Sequence, residues 1–166
     1  MKKLLLLLAV GLMTFTVQAQ EPETSNDDQA KMAKYMELMS KKIDMIVDTN
    51  LFMEASPNTY VSESPKAVIM AMYVPESYEN SRKKMDENVD TAFQVSDKGE
   101  TEINGVKVLF MKGTSSADGT TMESEIYCME IEDEVCMMFL GLTEQGIDAK
   151  YNEAITKAMN SVIKKR

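Results

Sequence analysis

Two short stretches of the chain, Ala67–Val74 and Val135–Leu142, are apolar throughout, and they constrain the fold more than any other feature. A strand with one face in solvent alternates apolar and polar side chains, whereas a continuous short apolar run is typical of a strand covered on both faces. The sequence therefore predicts a β-sheet whose central strands are sheltered on each side.

Three chain reversals in the second half of the sequence predict an antiparallel meander. The strongest signal is Asn104-Gly105, because both residues tolerate the positive φ of a type I′ turn between two strands. Asp118-Gly119 lies in the polar loop Thr114–Thr121, ahead of the predicted strand Met122–Ile131. A third reversal near Glu132-Asp133 leads into the second apolar run, so these strands are expected to be neighbours.

Three helices complete the predicted order. The first begins at Asp27, and apolar side chains at spacings of three and four give it one face to pack on the sheet. These are Met32, Tyr35, Met36, Met39, Ile43 and Ile46. The second helix opens at Pro75-Glu76, and the third runs from Ile147 to the basic C-terminus. Between the first two helices, Leu51–Met53 could begin a strand and Thr59–Glu63 is predicted as an edge strand. We expect an α+β fold, an antiparallel β-sheet meander with helices packed on both faces (an α/β/α sandwich).

The N-terminus has the pattern of a cleavable export signal. Lys2 and Lys3 precede an apolar run that is short for a membrane span, and Val17-Gln18-Ala19 resembles a signal-peptidase site. We expect a signal peptide over residues 1–19, a disordered leader over 20–26 and a single α+β domain over 27–166. The protein would then be periplasmic or secreted, with no stable membrane anchor after cleavage.

Charge and composition exclude several classes of function. The formal net charge is −9, and loss of the two signal-peptide lysines would make it −11. Such a chain repels phosphate backbones, so no nucleic acid is expected as a partner. The sequence contains no histidine, which excludes Ser-His-Asp and Cys-His catalysis and imidazole-ligated zinc. No cofactor motif is present, and no cofactor is expected.

The order of elements resembles the PsbP/DcrB-like superfamily of small exported α/β/α proteins. The resemblance rests on the strand ending in Val74-Pro75-Glu76 with its following helix, on Glu102–Val108 as a hairpin strand, on Glu125–Ile131, and on Asn160–Ile163 in the closing helix. The methionine-rich helix before Asp48 departs from the pattern, in which a strand beginning the sheet is more usual. The resemblance implies a binding or accessory role and brings no catalytic residues.

Methionine is unusually frequent, with sixteen in the sequence. Thioethers are soft ligands for Cu(I), so Met32, Met36 and Met39 are copper candidates, together with Met70 and Met72 on one strand face. The alternatives are that methionine simply fills the core, or that it lines an adaptable groove for a peptide or lipid.

The two cysteines, Cys128 and Cys136, form a disulfide or remain two buried thiols, depending on strand register. A three-residue loop at Ile131–Asp133 places them opposite each other. A two-residue loop at Glu132-Asp133 places Cys128 opposite Met137 instead, and the sulfurs point to opposite faces.

These observations favour an exported, non-enzymatic binding or accessory protein. Its partner would be a protein, a peptide or an apolar ligand. The alternatives are a methionine-rich copper-binding or methionine-redox protein, and a histidine-free enzyme. The enzyme would need a pocket that gathers lysine, tyrosine and carboxylate groups with displaced pKa values.

Overall fold

A computed structural model of the chain describes residues 26–87, 93–117 and 119–165. The predicted signal peptide and nearly all of the predicted leader lie outside these ranges. The described residues form three helices and seven strands. In chain order the elements are α1 (Asn26–Ser40), β1 (Met53–Ser56), β2 (Thr59–Glu63), β3 (Lys66–Val74), α2 (Tyr78–Asp86), β4 (Phe93–Ile103), β5 (Val106–Ala117), β6 (Thr120–Glu132), β7 (Val135–Glu144) and α3 (Ala149–Val162).

The seven strands form one antiparallel sheet in the order β1-β2-β3-β7-β6-β5-β4. Strands β4 to β7 are consecutive hairpins, and β7 then pairs with β3, so the two apolar runs lie side by side. The sequence predicts the central position of both runs but not their pairing. The prediction that Thr59–Glu63 is an edge strand is wrong, because β1 pairs with its outer side. The strand proposed to begin at Leu51 begins at Met53.

Helices lie on both faces of the sheet, which confirms the predicted α+β architecture. On one face, α3 buries its apolar side against the centre of β3 and β7, around Phe139 and Ile69, and Leu38 of α1 adds to this core. On the other face, Met85 of α2 packs with Leu109 and other side chains of β5, β6 and β7. The two faces therefore have separate apolar cores.

The first helix is shorter than predicted. It begins at Asn26, within the predicted leader, and ends at Ser40, so Ile43 and Ile46 lie in the segment without regular secondary structure that follows. Asn58 holds this segment: its Oδ1 accepts a hydrogen bond of 2.8 Å from the Ile43 N–H, and its Nδ2 donates one of 2.9 Å to the Lys41 carbonyl. These bonds satisfy buried backbone groups that a longer helix would have paired internally.

Side-chain caps fix where the other two helices begin. Helix α2 starts at Tyr78 rather than at Pro75, because the hydroxyl of Ser77 accepts a hydrogen bond from the Asn80 N–H. Asp148 caps α3 in the same way through the N–H of Lys150. That hydrogen bond lowers the pKa of the Asp148 carboxyl.

The hairpin at Asn104-Gly105 is confirmed, with φ of 52° and 74° at the two residues. The second reversal is tighter than the predicted loop Thr114–Thr121, since Ala117 pairs with Thr120. The third reversal has Asp133 and Glu134 at its tip, with Glu134 at φ 60°, and the register shifts between Glu130 and Glu132. One residue is thus bulged out of the β6–β7 ladder.

Both edge strands are irregular. The register of β1 against β2 shifts between Glu54 and Ser56, and that of β4 against β5 shifts between Val95 and Asp97. Strand β4 has eleven residues, and the nine between its ends are exposed. The outer edges of the sheet are therefore bulged and, along β4, solvated.

Candidate functional site

A patch of partly exposed apolar side chains covers part of the sheet on the face opposite α3. Cross-strand pairing places Met53 opposite Val61, Val61 opposite Val68, and Val68 opposite Leu142. Two further side chains project from β3 on the same face, because alternate residues of a strand share a face. We call this patch the methionine face; its members are Met53, Val61, Val68, Met70, Met72 and Leu142.

The methionine face remains accessible because α2 is short and lies over other strands. The core under α2 contains residues of β5, β6 and β7, and Met138 and Leu140 of β7 form its border. Along β3, the residues on the α3 side are buried, whereas those on the opposite side are only partly covered. The sequence predicted Ala67–Val74 to be covered on both faces. The structure corrects this: among the described residues, the α3 side of β3 is buried and the opposite side is only partly covered.

Carboxylates lie at both ends of the methionine face. At one end, the β6–β7 turn carries Glu132, Asp133 and Glu134, which are all exposed. The last of them lies two residues before Cys136, which pairs with Val74. At the other end, Lys66 pairs with Glu63 of β2, and its backbone N–H donates a hydrogen bond of 3.2 Å to the carboxylate of Glu144 on β7. Among the described residues, no ion pair engages the three carboxylates of the turn.

The predicted copper candidates lie on α1. Met32 and Met36 are both 62% exposed, and Met39 is partly exposed. The first two are one helical turn apart, so their thioethers share an open helix face. The prediction that these residues fill the core is wrong for Met32 and Met36. It is correct for a second group of methionines, which are buried: Met85, Met111, Met122, Met129, Met137 and Met159.

The two cysteines lie diagonally across β6 and β7. Cys128 pairs with Met138 and Cys136 pairs with Glu130, so both thiols are on the α2 face, and neither predicted register is the observed one. Both cysteines are buried, with 0% exposure. The hydrogen bond with Cys136, together with burial, raises the pKa of the Cys128 thiol. The same hydrogen bond lowers the pKa of the Cys136 thiol. The disulfide stays a prediction.

A polar cluster joins α2 to β4 and β5 around the carboxylate of Glu100. The Tyr78 hydroxyl donates a hydrogen bond of 3.1 Å to Glu100, Lys107 lies 2.8 Å from it, and the Arg82 guanidinium forms a further ion pair with it. A cavity of about 170 Å³ adjoins this cluster, lined in part by Lys98 and Leu109. Sequence analysis did not identify this group, because its members come from three separate elements.

The pKa shifts in this cluster favour the ordinary charge states. Burial and the hydrogen bond to Glu100 raise the pKa of Tyr78. The hydrogen bond from Lys107 lowers the pKa of Glu100, and the charge of Glu79 raises that of Arg82. A general acid or base works best with a pKa near the working pH. Each of these shifts moves a group away from neutral pH, as expected of a structural ion-pair cluster.

A second polar cluster lies on the α3 side. The Glu125 carboxylate accepts a hydrogen bond of 2.9 Å from the Tyr127 hydroxyl and pairs with Lys112 at 3.1 Å. A cavity of about 180 Å³ lies beside Glu125, between the sheet and α3. Burial and the bond to Glu125 raise the pKa of Tyr127. Burial acts to lower the pKa of Lys112, but the pair with Glu125 outweighs it and the net shift is upward. These shifts also move both groups away from neutral pH.

Among residues 26–87, 93–117 and 119–165, no helix is both long and apolar enough to cross a bilayer. In the same ranges, no cluster of three or more cysteine or carboxylate side chains is arranged to hold a metal ion.

The fold and site define a small α+β protein with an open apolar face on a seven-stranded antiparallel sheet. No protein-family model and no curated protein matches the chain. Among solved structures, it is similar to the protein of unknown function PA94 from Pseudomonas aeruginosa, at 10% identity and a TM-score of 0.52, over 76% of this chain and 86% of that one. It is also similar to LpqN, which is involved in cell envelope biogenesis of Mycobacterium tuberculosis, at 12% identity and a TM-score of 0.50, over 72% and 79% of the two chains. At sequence identities of 10% and 12%, the similarity to these two structures concerns the fold alone.

Proposed function

We propose that this chain is an exported, non-enzymatic protein that binds a partner through the methionine face. The observation that carries the proposal is this patch of six apolar side chains, partly or largely exposed, on four adjacent strands. A contiguous exposed apolar patch on a soluble protein commonly marks an interaction site. Methionine suits such a surface, because its flexible thioether adapts to differently shaped partners.

Export is supported by the N-terminal pattern and by the fold. The basic start, the apolar run and Val17-Gln18-Ala19 are typical of a signal peptide. The fold likeness to LpqN, a protein involved in cell envelope biogenesis, agrees with a role outside the cytoplasm. The PsbP/DcrB-like resemblance leads to the same proposal. N-terminal sequencing of the protein recovered from the cell envelope or medium should begin at Gln20; an intact Met1 would contradict export by cleavage.

A binding role is favoured over catalysis by the chemistry of the two polar clusters. Each contains the lysine, tyrosine and carboxylate groups that a histidine-free enzyme would need. In both, however, the tyrosine pKa is raised above its already alkaline value, so the phenol is a hydrogen-bond donor rather than a base near neutral pH. The ion pairs in these clusters instead join α2 to β4 and β5 to β6.

The experiment is a pull-down from the native envelope with matched surface variants as bait. The double variant Met70→Gln/Met72→Gln makes the centre of the methionine face polar with little change in side-chain length. Val95→Gln is the control, because Val95 is a 39% exposed apolar side chain on the distant edge strand β4. A partner should be recovered by the wild-type protein and by V95Q but lost with M70Q/M72Q. Equal recovery by all three baits, with unchanged thermal stability, would refute the proposal.

Copper binding is the second candidate, because α1 exposes two thioethers one turn apart at Met32 and Met36. Titration with Cu(I) under anaerobic conditions should then show stoichiometric binding that Met32→Leu/Met36→Leu abolishes. Met53→Leu is the control, since Met53 is similarly exposed at 61% but lies on β1. Binding that survives loss of both α1 thioethers would exclude this site.

A further inference from the structure

The methionine face has the length of a short helical segment. Its longest row of side chains runs along β3 from Val68 through Met70 to Met72, four residue steps that span about 13 Å at 3.3 Å per residue. A helix of about nine residues has the same length at 1.5 Å per residue. One apolar face of such a helix presents side chains at each turn and would cover the row. The apolar surface therefore matches one amphipathic peptide segment of two to three turns.

The charge around this face is negative at both ends. The turn residues Glu132, Asp133 and Glu134 flank one end with carboxylates that no described ion pair neutralises. At the other end, Lys66 is outnumbered by Glu63 and Glu144. A segment that lies along β3 would meet negative potential at both of its ends.

The neighbouring helix α2 also carries cations on this side, and two of them are paired with carboxylates. Lys84 lies 2.6 Å from Glu76, and Arg82 is paired with Glu79 and Glu100. Lys83 is exposed on the same helix. The chain as a whole has a formal charge of −9, so the long-range field attracts cations to this surface.

We infer that the occupant of the methionine face is a cationic amphipathic segment of another protein. This inference rests on the proposed function and specifies its partner. Apolar side chains of the segment would pack on Met70 and Met72, and its lysines or arginines would lie near the carboxylates at the two ends. Acidic surfaces lined with methionine are suited to basic amphipathic helices, because the apolar contact tolerates sequence variation while the charge sets the preference.

The negative charge of the chain disfavours two other occupants of the methionine face, a second copy of the chain and an anionic lipid surface. A second copy of the chain brings an equal negative charge, and an anionic lipid surface would be repelled. Association with either would have to overcome this repulsion through the apolar patch alone.

The test uses three fluorescent 14-residue peptides with the same leucine pattern and with lysine, glutamine or glutamate at every polar position. Fluorescence anisotropy with the purified protein should show binding of the lysine peptide at micromolar concentrations. We expect affinity to be at least tenfold weaker for the glutamine peptide, and no binding of the glutamate peptide. Raising the salt from 20 mM to 500 mM should weaken binding of the lysine peptide about tenfold, because salt screens the attraction between the carboxylates and the lysine side chains.

Two sets of variants separate the apolar and the electrostatic contributions. M70Q/M72Q should weaken lysine-peptide binding at least tenfold, whereas V95Q should leave it unchanged. Glu132→Gln/Asp133→Asn/Glu134→Gln should weaken it about threefold to tenfold and reduce the salt dependence. Vesicles of anionic phospholipid should not bind, and light scattering should report a monomer.

The outcomes distinguish this inference from the proposed function. Equal binding of the lysine and glutamine peptides, lost in M70Q/M72Q, would overturn the cationic preference and leave the binding face in place. Failure of all three peptides would overturn the inference, while the pull-down decides the proposed function separately. Binding of anionic vesicles, or a dimer that M70Q/M72Q dissociates, would replace the cationic segment with a membrane or a second copy.

Discussion

The side-chain amide of Asn104 donates a hydrogen bond of 2.8 Å to the carbonyl oxygen of Ile163. A further bond of 3.2 Å reaches the carbonyl of Asn160. The last carbonyls of a helix have no partner within the helix, so the tip of the β4–β5 hairpin supplies a donor to the end of α3. The same residue thus forms the turn, at φ 52°, and anchors the C-terminal helix to the sheet.

Replacing the Asn104 amide should weaken this link in a pH-dependent way. Asn104→Asp keeps the shape and the tolerance of positive φ, but it turns a donor into a carboxylate that faces carbonyl oxygens. We expect a loss of about 1–3 kcal/mol in the free energy of unfolding at pH 7. The loss should shrink near pH 3, where the protonated acid can donate again. Urea denaturation at both pH values measures it, with Asn104→Gly as the control that removes the donor without adding charge. Equal stability of N104D and wild type at pH 7 would contradict the role of this bond.

The close approach of β7 and α3 makes Gly141 sensitive to substitution. A Cβ added there would lie 2.5 Å from Cγ2 of Ile155, whose branched side chain has little freedom to move. Gly141→Ala should therefore destabilise the protein by about 1–3 kcal/mol through overpacking. Gly99→Ala is the control, because its nearest neighbour would be 3.4 Å away. In a double-mutant cycle, G141A should lower the free energy of unfolding much less in the Ile155→Ala background than in the wild-type protein. Strict additivity would show that the two sites do not touch.

The two thiols should be inert in the native state. Cys128 and Cys136 have 0% exposure, and thiol reagents need access to a thiolate. We expect no reaction with Ellman's reagent in buffer, and two thiols per chain after unfolding in guanidinium without reductant. A result of zero thiols in the unfolded protein would instead show that the exported chain carries the disulfide.

Tyr78 and Tyr127 should ionise later than free tyrosine. Both folded-state pKa values are raised above the ordinary 10.0, by burial and by donation to a glutamate. A raised pKa contributes stability below pH 10 that is lost as the pH rises above it. Titration of the absorbance near 295 nm should show two of the six tyrosines ionising at higher pH in the native protein than in the unfolded protein. Tyr78→Phe should remove one late-ionising group. Six tyrosines that all ionise near pH 10 in the native state would contradict these shifts.

Local signals predicted the hairpins, but tertiary contacts decided the registers. The positive φ at Asn104-Gly105 follows from residue type alone. The β6–β7 register does not follow from residue type. Nothing in the sequence Ile131–Glu134 indicates that Glu134 has a positive φ or that a bulge precedes Glu132. Similarly, α1 ends at Ser40 because Asn58, distant in sequence, binds the backbone beyond it.

The candidate site was only partly predictable for the same reason. The apolar run in β3 shows which residues avoid water, and the sequence identified Met70 and Met72 as sharing a strand face. It does not show how far a neighbouring helix reaches. That α2 has nine residues and lies over β5 and β6 is a property of the packed structure, and it decides that one side of β3 stays open.

The bulges in β1 and β4 set a limit on how these molecules can associate. A straight, unpaired strand invites another chain to extend the sheet, and this is a route to aggregation. Here one edge is four residues long, and the other combines its bulge with Asp97, Lys98, Glu100 and Glu102. Edge-to-edge growth into fibrils is thereby discouraged even at high concentration, so the open face can persist without making the protein self-associate through its strands.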